Sequence, residues 1–148
     1  MSRQLQHELD SALRAVIGDM RAAVDELTTV LEAERIALGE GGTDALNRAG
    51  TRKQALMLQL EQLDVERLQL GRESPEAAAK LAPEWGQIVQ SLQTCQQVNQ
   101  HNGNEVSQRL RQVRQALSVL TGHAGESSLY GRNGGVHVDL RSRVLAEA

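Results

Sequence analysis

Four histidines and one cysteine are the side chains here best suited to metal binding or nucleophilic attack, and their spacing serves neither. His7, His101, His123 and His137 are scattered, and none belongs to an H-E-x-x-H or Glu-x-x-His motif. Zinc hydrolases and di-iron bundles need ligands one helical turn apart that converge on an ion, so neither chemistry is expected. Cys95 has no histidine one turn away and falls on the seam of an expected helix, where a thiol acts as a small buried hydrophobe. No Gly-rich loop follows a strand, no Walker lysine is present, and serine and aspartate occur in no nucleophile setting. An enzyme is not expected, nor any cofactor.

What remains is recognition by hydrogen bonding and apolar burial. Asn99-Gln100-His101-Asn102-Gly103 sets two asparagines and a glycine inside an apolar stripe of heptad spacing. Two readings stay open. Polar residues at core positions fix register by bonding across a seam; alternatively, this half of the helix is an incompletely covered groove and the asparagines meet a partner's backbone. Gln87, Gln90, Gln93, Gln97, Gln100, Gln108, Gln112 and Gln115 give the same helix an uncharged polar surface, suited to binding and release. Beyond it lies the only tyrosine, Tyr130, within Leu129-Tyr130-Gly131-Arg132-Asn133-Gly134. A lone amphipathic ring in a Gly-rich tail reads as an interface anchor, a short linear docking motif.

Periodicity fixes the elements that carry these residues. A first helix is expected from about Arg3 to Leu38: Leu9, Leu13, Val16, Met20, Ala23, Leu27 and Val30 alternate steps of four and three, and Ile17, Val24, Leu31 and Leu38 add a second stripe. So wide a face implies two neighbours. Asp10 and Arg14 stand at i,i+4 and are expected to pair. Gly39-Glu40-Gly41-Gly42 ends the helix, and Thr43 or Asp44 is the expected N-cap of a second one reaching about Gly71. On its seam, beside Leu46, Ala49, Leu56, Leu60, Leu63 and Leu70, stand Lys53 and Arg67, whose stems are expected to pack while their heads snorkel to water. Ser74-Pro75-Glu76 is a helix start, and Pro83 keeps that helix short. The last long helix, from near Glu84, has Trp85, Leu92, Asn99, Val106, Val113 and Leu120 at steps of seven, a phase kept across Asn102-Gly103 that argues for one unbroken helix.

The fold class expected is therefore all-α: an elongated antiparallel bundle of three long helices plus a short one over residues 1–121, with a flexible Gly-rich tail over 122–148. Composition agrees. Aromatics are 1% of the 148 residues and Phe is absent, so a core of Leu, Val and Ala must form along narrow helix seams. A net charge of −3 with no basic block excludes nucleic acid as an expected partner. A single cysteine fits a reducing cytosol, residues 1–10 are too polar for a signal peptide, and no apolar run approaches the ~20 residues of a membrane span. A soluble cytoplasmic protein without membrane insertion is expected.

Val113, Leu117 and Leu120, evenly spaced and close to the tail, form the expected partner-binding stripe. With Lys53 and Arg67 on the second helix, a Trp85-led third, Asn99-x-x-Asn102-Gly103, then Leu110, Val113, Leu117 and Leu120, and Tyr130-Gly131-x-x-Gly134 in the tail, the chain resembles the FlgN family of flagellar export chaperones over nearly its whole length. One departure is Asn104-Glu105 before Val106, where that family's pattern leads one to expect an aliphatic pair. The resemblance implies a cytosolic chaperone that keeps hook-associated proteins of FlgK/FlgL type from assembling prematurely and delivers them to the cytosolic domain of the flagellar export gate, without hydrolysing ATP. It implies client binding along Asn99, Asn102, Val106, Leu110, Val113, Leu117 and Leu120, and gate docking at Leu129, Tyr130 and Gly131. A helix-in-groove binder needs an apolar stripe and no catalytic group, which is what the residues offer. The rival reading is a structural coiled-coil adaptor without an export client.

Overall fold

The computed structural model describes residues 2–121, which fold into four helices: α1 (Arg3–Glu40), α2 (Thr43–Glu73), α3 (Pro75–Lys80) and α4 (Ala82–Thr121). The expected tail, 122–148, lies outside the described residues. Consecutive long helices run antiparallel, which leaves α1 and α4 parallel.

α1 is the centre of the bundle. Both α2 and α4 pack along it, as its two apolar stripes require. Its buried residues Leu13, Val16, Ile17, Met20, Ala23, Val24, Leu27 and Leu31 meet Leu56, Met57 and Leu60 of α2 and Ile88, Leu92 and Cys95 of α4 in one cluster. With no Phe and aliphatic side chains throughout, burial comes from many small contacts along long seams.

The helix ends follow local chemistry. Ser2 caps α1 by accepting from the Leu5 N–H, and α1 stops at Gly41, whose φ of 75° only glycine adopts without strain. The Gly41 and Gly42 N–H groups both donate to the Ala37 carbonyl. α2 begins one residue earlier than a Thr43 cap predicts and two earlier than an Asp44 cap: Gly42 takes the N-cap position with no side-chain bond, because Gly41 has already completed the turn. Ser74 caps α3 as its sequence predicts, accepting from the Ala77 N–H, and its hydroxyl also takes a 2.7 Å bond from Gln6 Nε2, tying the α2–α3 corner to the start of α1. α3 ends after six residues, and Pro83 is tolerated because it sits in the first turn of α4, where its missing N–H has no intrahelical partner to lose. α4 is continuous through Asn102-Gly103.

Two local expectations are corrected. Asp10 pairs with Lys80 and Gln6 rather than Arg14, since α3 brings the lysine against this face of α1; the ammonium holds the Asp10 carboxyl below its usual range. Lys53 does not reach water. It is 2% exposed and its head is held inside the bundle. Arg67 is half-buried, stacking over the Trp85 ring at 3.7 Å and bonding Asp64 at 2.8 Å.

Candidate functional site

The register of α4 against α1 positions the site. Arg21 Nη2 bonds Gln87 Oε1 at 3.0 Å, Thr28 Oγ1 lies 3.3 Å from Cys95 Sγ, and Asn102 reaches both Leu31 and Glu34. These pairs are separated by 66, 67, 71 and 68 positions, so the two helices keep step. On that offset Glu40, the last residue of α1, lies level with about residue 107 of α4. α4 continues to Thr121. Its final ~13 residues, about 20 Å of helix, run past the end of the α1–α2 hairpin.

Burial follows this geometry. Ile88, Leu92, Cys95 and Asn102 are all within 2% of complete burial. Beyond Asn102 no described residue of α4 is buried. Leu110 is half-buried, and Val106, Val113, Leu117 and Leu120 are exposed by 39%, 54%, 45% and 82%. The heptad stripe therefore outlasts the surface it packs on. Fully covering a Val or Leu side chain is worth about 1.5–3 kcal/mol, so these residues hold unspent binding energy.

The last buried position on α4 is an ionic one. Lys53 Nζ donates to both Glu34 carboxylate oxygens, at 2.8 and 2.7 Å, and to Asn99 Oδ1 at 3.0 Å. Asn102 Nδ2 donates to Glu34 Oε1 at 2.9 Å and to the Leu31 carbonyl at 3.1 Å. Glu34, Lys53 and Asn102 are 6%, 2% and 1% exposed. One residue from α1, one from α2 and two from α4 thus form a neutral, hydrogen-bonded cluster, in which the buried Asn102 Oδ1 meets no donor among the described residues. Such a cluster tolerates little sliding, because a shift of one turn leaves a buried charge unpaired. This geometry supplies the register reading of Asn99 and Asn102. Asn102 is sealed from any partner, and the Asn99 carbonyl is already committed to Lys53. Both asparagines fix where α4 lies and so where the exposed stripe begins.

Glu34 escaped the sequence reading, although a signal existed: it occupies the α1 slot that follows Leu27 and Leu31 in the apolar phase. A seam acid on one helix and a seam lysine on its hairpin neighbour are candidates to pair.

The other chemistry-bearing groups serve packing. Thr28 donates its hydroxyl to the Val24 carbonyl, so the Cys95 thiol donates to Thr28; burial pushes that thiol above its ordinary range, which disfavours the reactive thiolate. Among the described residues no group of three or more His, Cys, Asp or Glu side chains is placed to hold a metal, and no helix is long and apolar enough to cross a membrane. Leu129, Tyr130 and Gly131 lie outside the described residues.

Comparison with known proteins gives one consistent answer. The FlgN protein family matches residues 1–137. The flagella synthesis protein FlgN of Salmonella typhimurium is 29% identical over 131 residues, covering 87% of this chain and 93% of that protein. The flagella synthesis protein FlgN of Escherichia coli is 30% identical over 126 residues, covering 82% and 88% respectively. No solved structure matches. A helical bundle with a projecting apolar stripe, an internal register lock and a family match over nearly its whole length, the chain belongs to the FlgN family of flagellar chaperones and is not an enzyme.

Proposed function

We propose that this chain binds hook-associated proteins of FlgK/FlgL type in the cytoplasm, keeps them from assembling prematurely and delivers them to the cytosolic domain of the export gate. The observation that carries the reading is the exposed stripe Val106, Val113, Leu117 and Leu120, with half-buried Leu110, which begins about where α1 ends and runs along the part of α4 beyond it. An amphipathic client segment laid along this stripe buries apolar surface that the other described residues do not cover, and it needs no catalytic group. Asn99 and Asn102 contribute by holding α4 in register. Gate docking is assigned to Leu129, Tyr130 and Gly131, on the argument that a single large amphipathic ring among glycines is an anchor.

Titrating variants of the full chain against a FlgK/FlgL-type client and against the isolated gate domain tests both assignments. Leu117→Asp is expected to lose the client while the helices remain folded, because pressing a carboxylate against an apolar client helix costs several kcal/mol. Tyr130→Ala is expected to keep the client and lose the gate. Unchanged client affinity in folded Leu117→Asp overturns the stripe as the binding site. Equal loss of both interactions in Tyr130→Ala overturns the separate docking motif.

A further inference from the structure

The exposed end of α4 differs from the rest of the described residues in charge as well as in burial. From Val106 to Thr121 it carries Arg109, Arg111 and Arg114 and not one Asp or Glu, in a protein whose net charge is −3. The helix dipole does not account for these arginines. Cations are favoured in the last turn, which here contains none, and the effect fades within that turn. Nor do ion pairs among the described residues: none of these involves any of the three, and the nearest acid on this helix, Glu105, lies 3.9 Å from His101.

Their placement is specific. Arg109 stands four residues before Val113, on one border of the apolar stripe. Arg114 stands four residues after Leu110 and three before Leu117, on the other border. Both residues are half-buried. The Arg114 Nε–H is shielded from solvent and meets no acceptor among the described residues. A buried donor without an acceptor is costly, and a carboxylate supplied by a partner satisfies it with a charge-assisted bond.

From this arrangement we infer that the segment bound on the α4 stripe is an amphipathic protein helix whose apolar face is flanked by Glu or Asp side chains, with Arg109 and Arg114 as the residues that select it. The inference rests on the client-binding reading above and names the chemistry of that client. An anionic membrane surface is disfavoured. Stable interfacial anchoring draws on a broad apolar face with aromatic residues and a polybasic patch, whereas this segment has three arginines and neither Trp nor Phe. Arg111 points away from the stripe and adds to the long-range attraction.

The test uses the full chain and two synthetic helical peptides with the same Leu/Val stripe, one flanked by Glu and the other by Lys, titrated by fluorescence anisotropy. The Glu-flanked peptide is expected to bind at least tenfold more tightly at low ionic strength, with the advantage shrinking as salt rises. The double variant R109E/R114E is expected to invert the preference, and R109Q/R114Q, which adds no repulsion, to abolish it. Circular dichroism confirms that each variant is folded. Equal binding of the two peptides, or a preference that survives both double variants, overturns the inference. So does binding to phosphatidylserine vesicles without binding to the Glu-flanked peptide. If a FlgK/FlgL-type terminal segment binds the wild type and both double variants equally, the charge selection fails and the client reading stands. If that segment does not bind while the Glu-flanked peptide binds with the expected preference, the client reading fails and the charge selection stands.

Discussion

The two halves of α4 carry the same apolar rhythm and meet opposite fates. In the first half Ile88, Leu92 and Cys95 are almost completely buried; in the second Val113, Leu117 and Leu120 are 54%, 45% and 82% exposed. Hydrophobicity does not separate them, since the second half is as rich in Leu and Val. What differs is the presence of α1 alongside. Periodicity specifies that a helix has an apolar face, while the length of the neighbouring helix decides how much of that face is covered. The junction between the halves is marked by the Glu34–Lys53–Asn99–Asn102 cluster, which anchors the covered half just before its support ends.

The largest effect is expected from breaking that anchor. Glu34→Leu leaves the Lys53 ammonium buried without its counter-ion and is expected to cost about 3–5 kcal/mol, read as a lower urea midpoint. The double variant Glu34→Leu/Lys53→Met is expected to recover most of the loss, because removing both charges also removes the desolvation penalty. If the single variant is as stable as wild type, the cluster is not what anchors the covered half.

A smaller and more direct contrast comes from the same truncation in each half. Leu92→Ala is expected to destabilise by about 2–5 kcal/mol, as a fully buried leucine does. Leu117→Ala is expected to stay within about 0.5 kcal/mol in the absence of client, as surface changes do. Similar urea midpoints for the two variants would show that α4 is packed alike along its whole length.

The smallest effect concerns Cys95, inside the covered half. Burial raises its thiol pKa in the folded state, so the contribution is present in full below the ordinary thiol range and is lost as pH rises through that range toward the folded value. Relative to Cys95→Ser, wild type is therefore expected to lose stability above neutral pH, and iodoacetamide is expected to label Cys95 slowly until urea unfolds the chain. Rapid labelling of the folded protein would place Cys95 in an open half of the helix.

Much of the fold was legible because long helices write themselves at steps of three and four. The two stripes of α1 announced two neighbours, Ser74-Pro75 announced the start of α3, and the kept phase across Asn102-Gly103 announced an unbroken α4. The exposed stripe was legible as a face of a helix, and the motifs around Asn99 and Asn102 were legible as departures from simple packing. The fate of polar groups on the seams was not. Lys53 has a stem long enough to reach water, and only the position of Glu34 on α1 and Asn99 on α4 decides that its ammonium stays inside. The sequence by itself thus determined which residues form helices and which face of each is apolar, because these depend on neighbours within a few positions, and the motifs spread along it carry the family resemblance. Only the tertiary structure decided that α4 outruns its support and that the asparagines look inward, because both depend on the offset between helices some 66–71 residues apart, a distance across which no local pattern carries information.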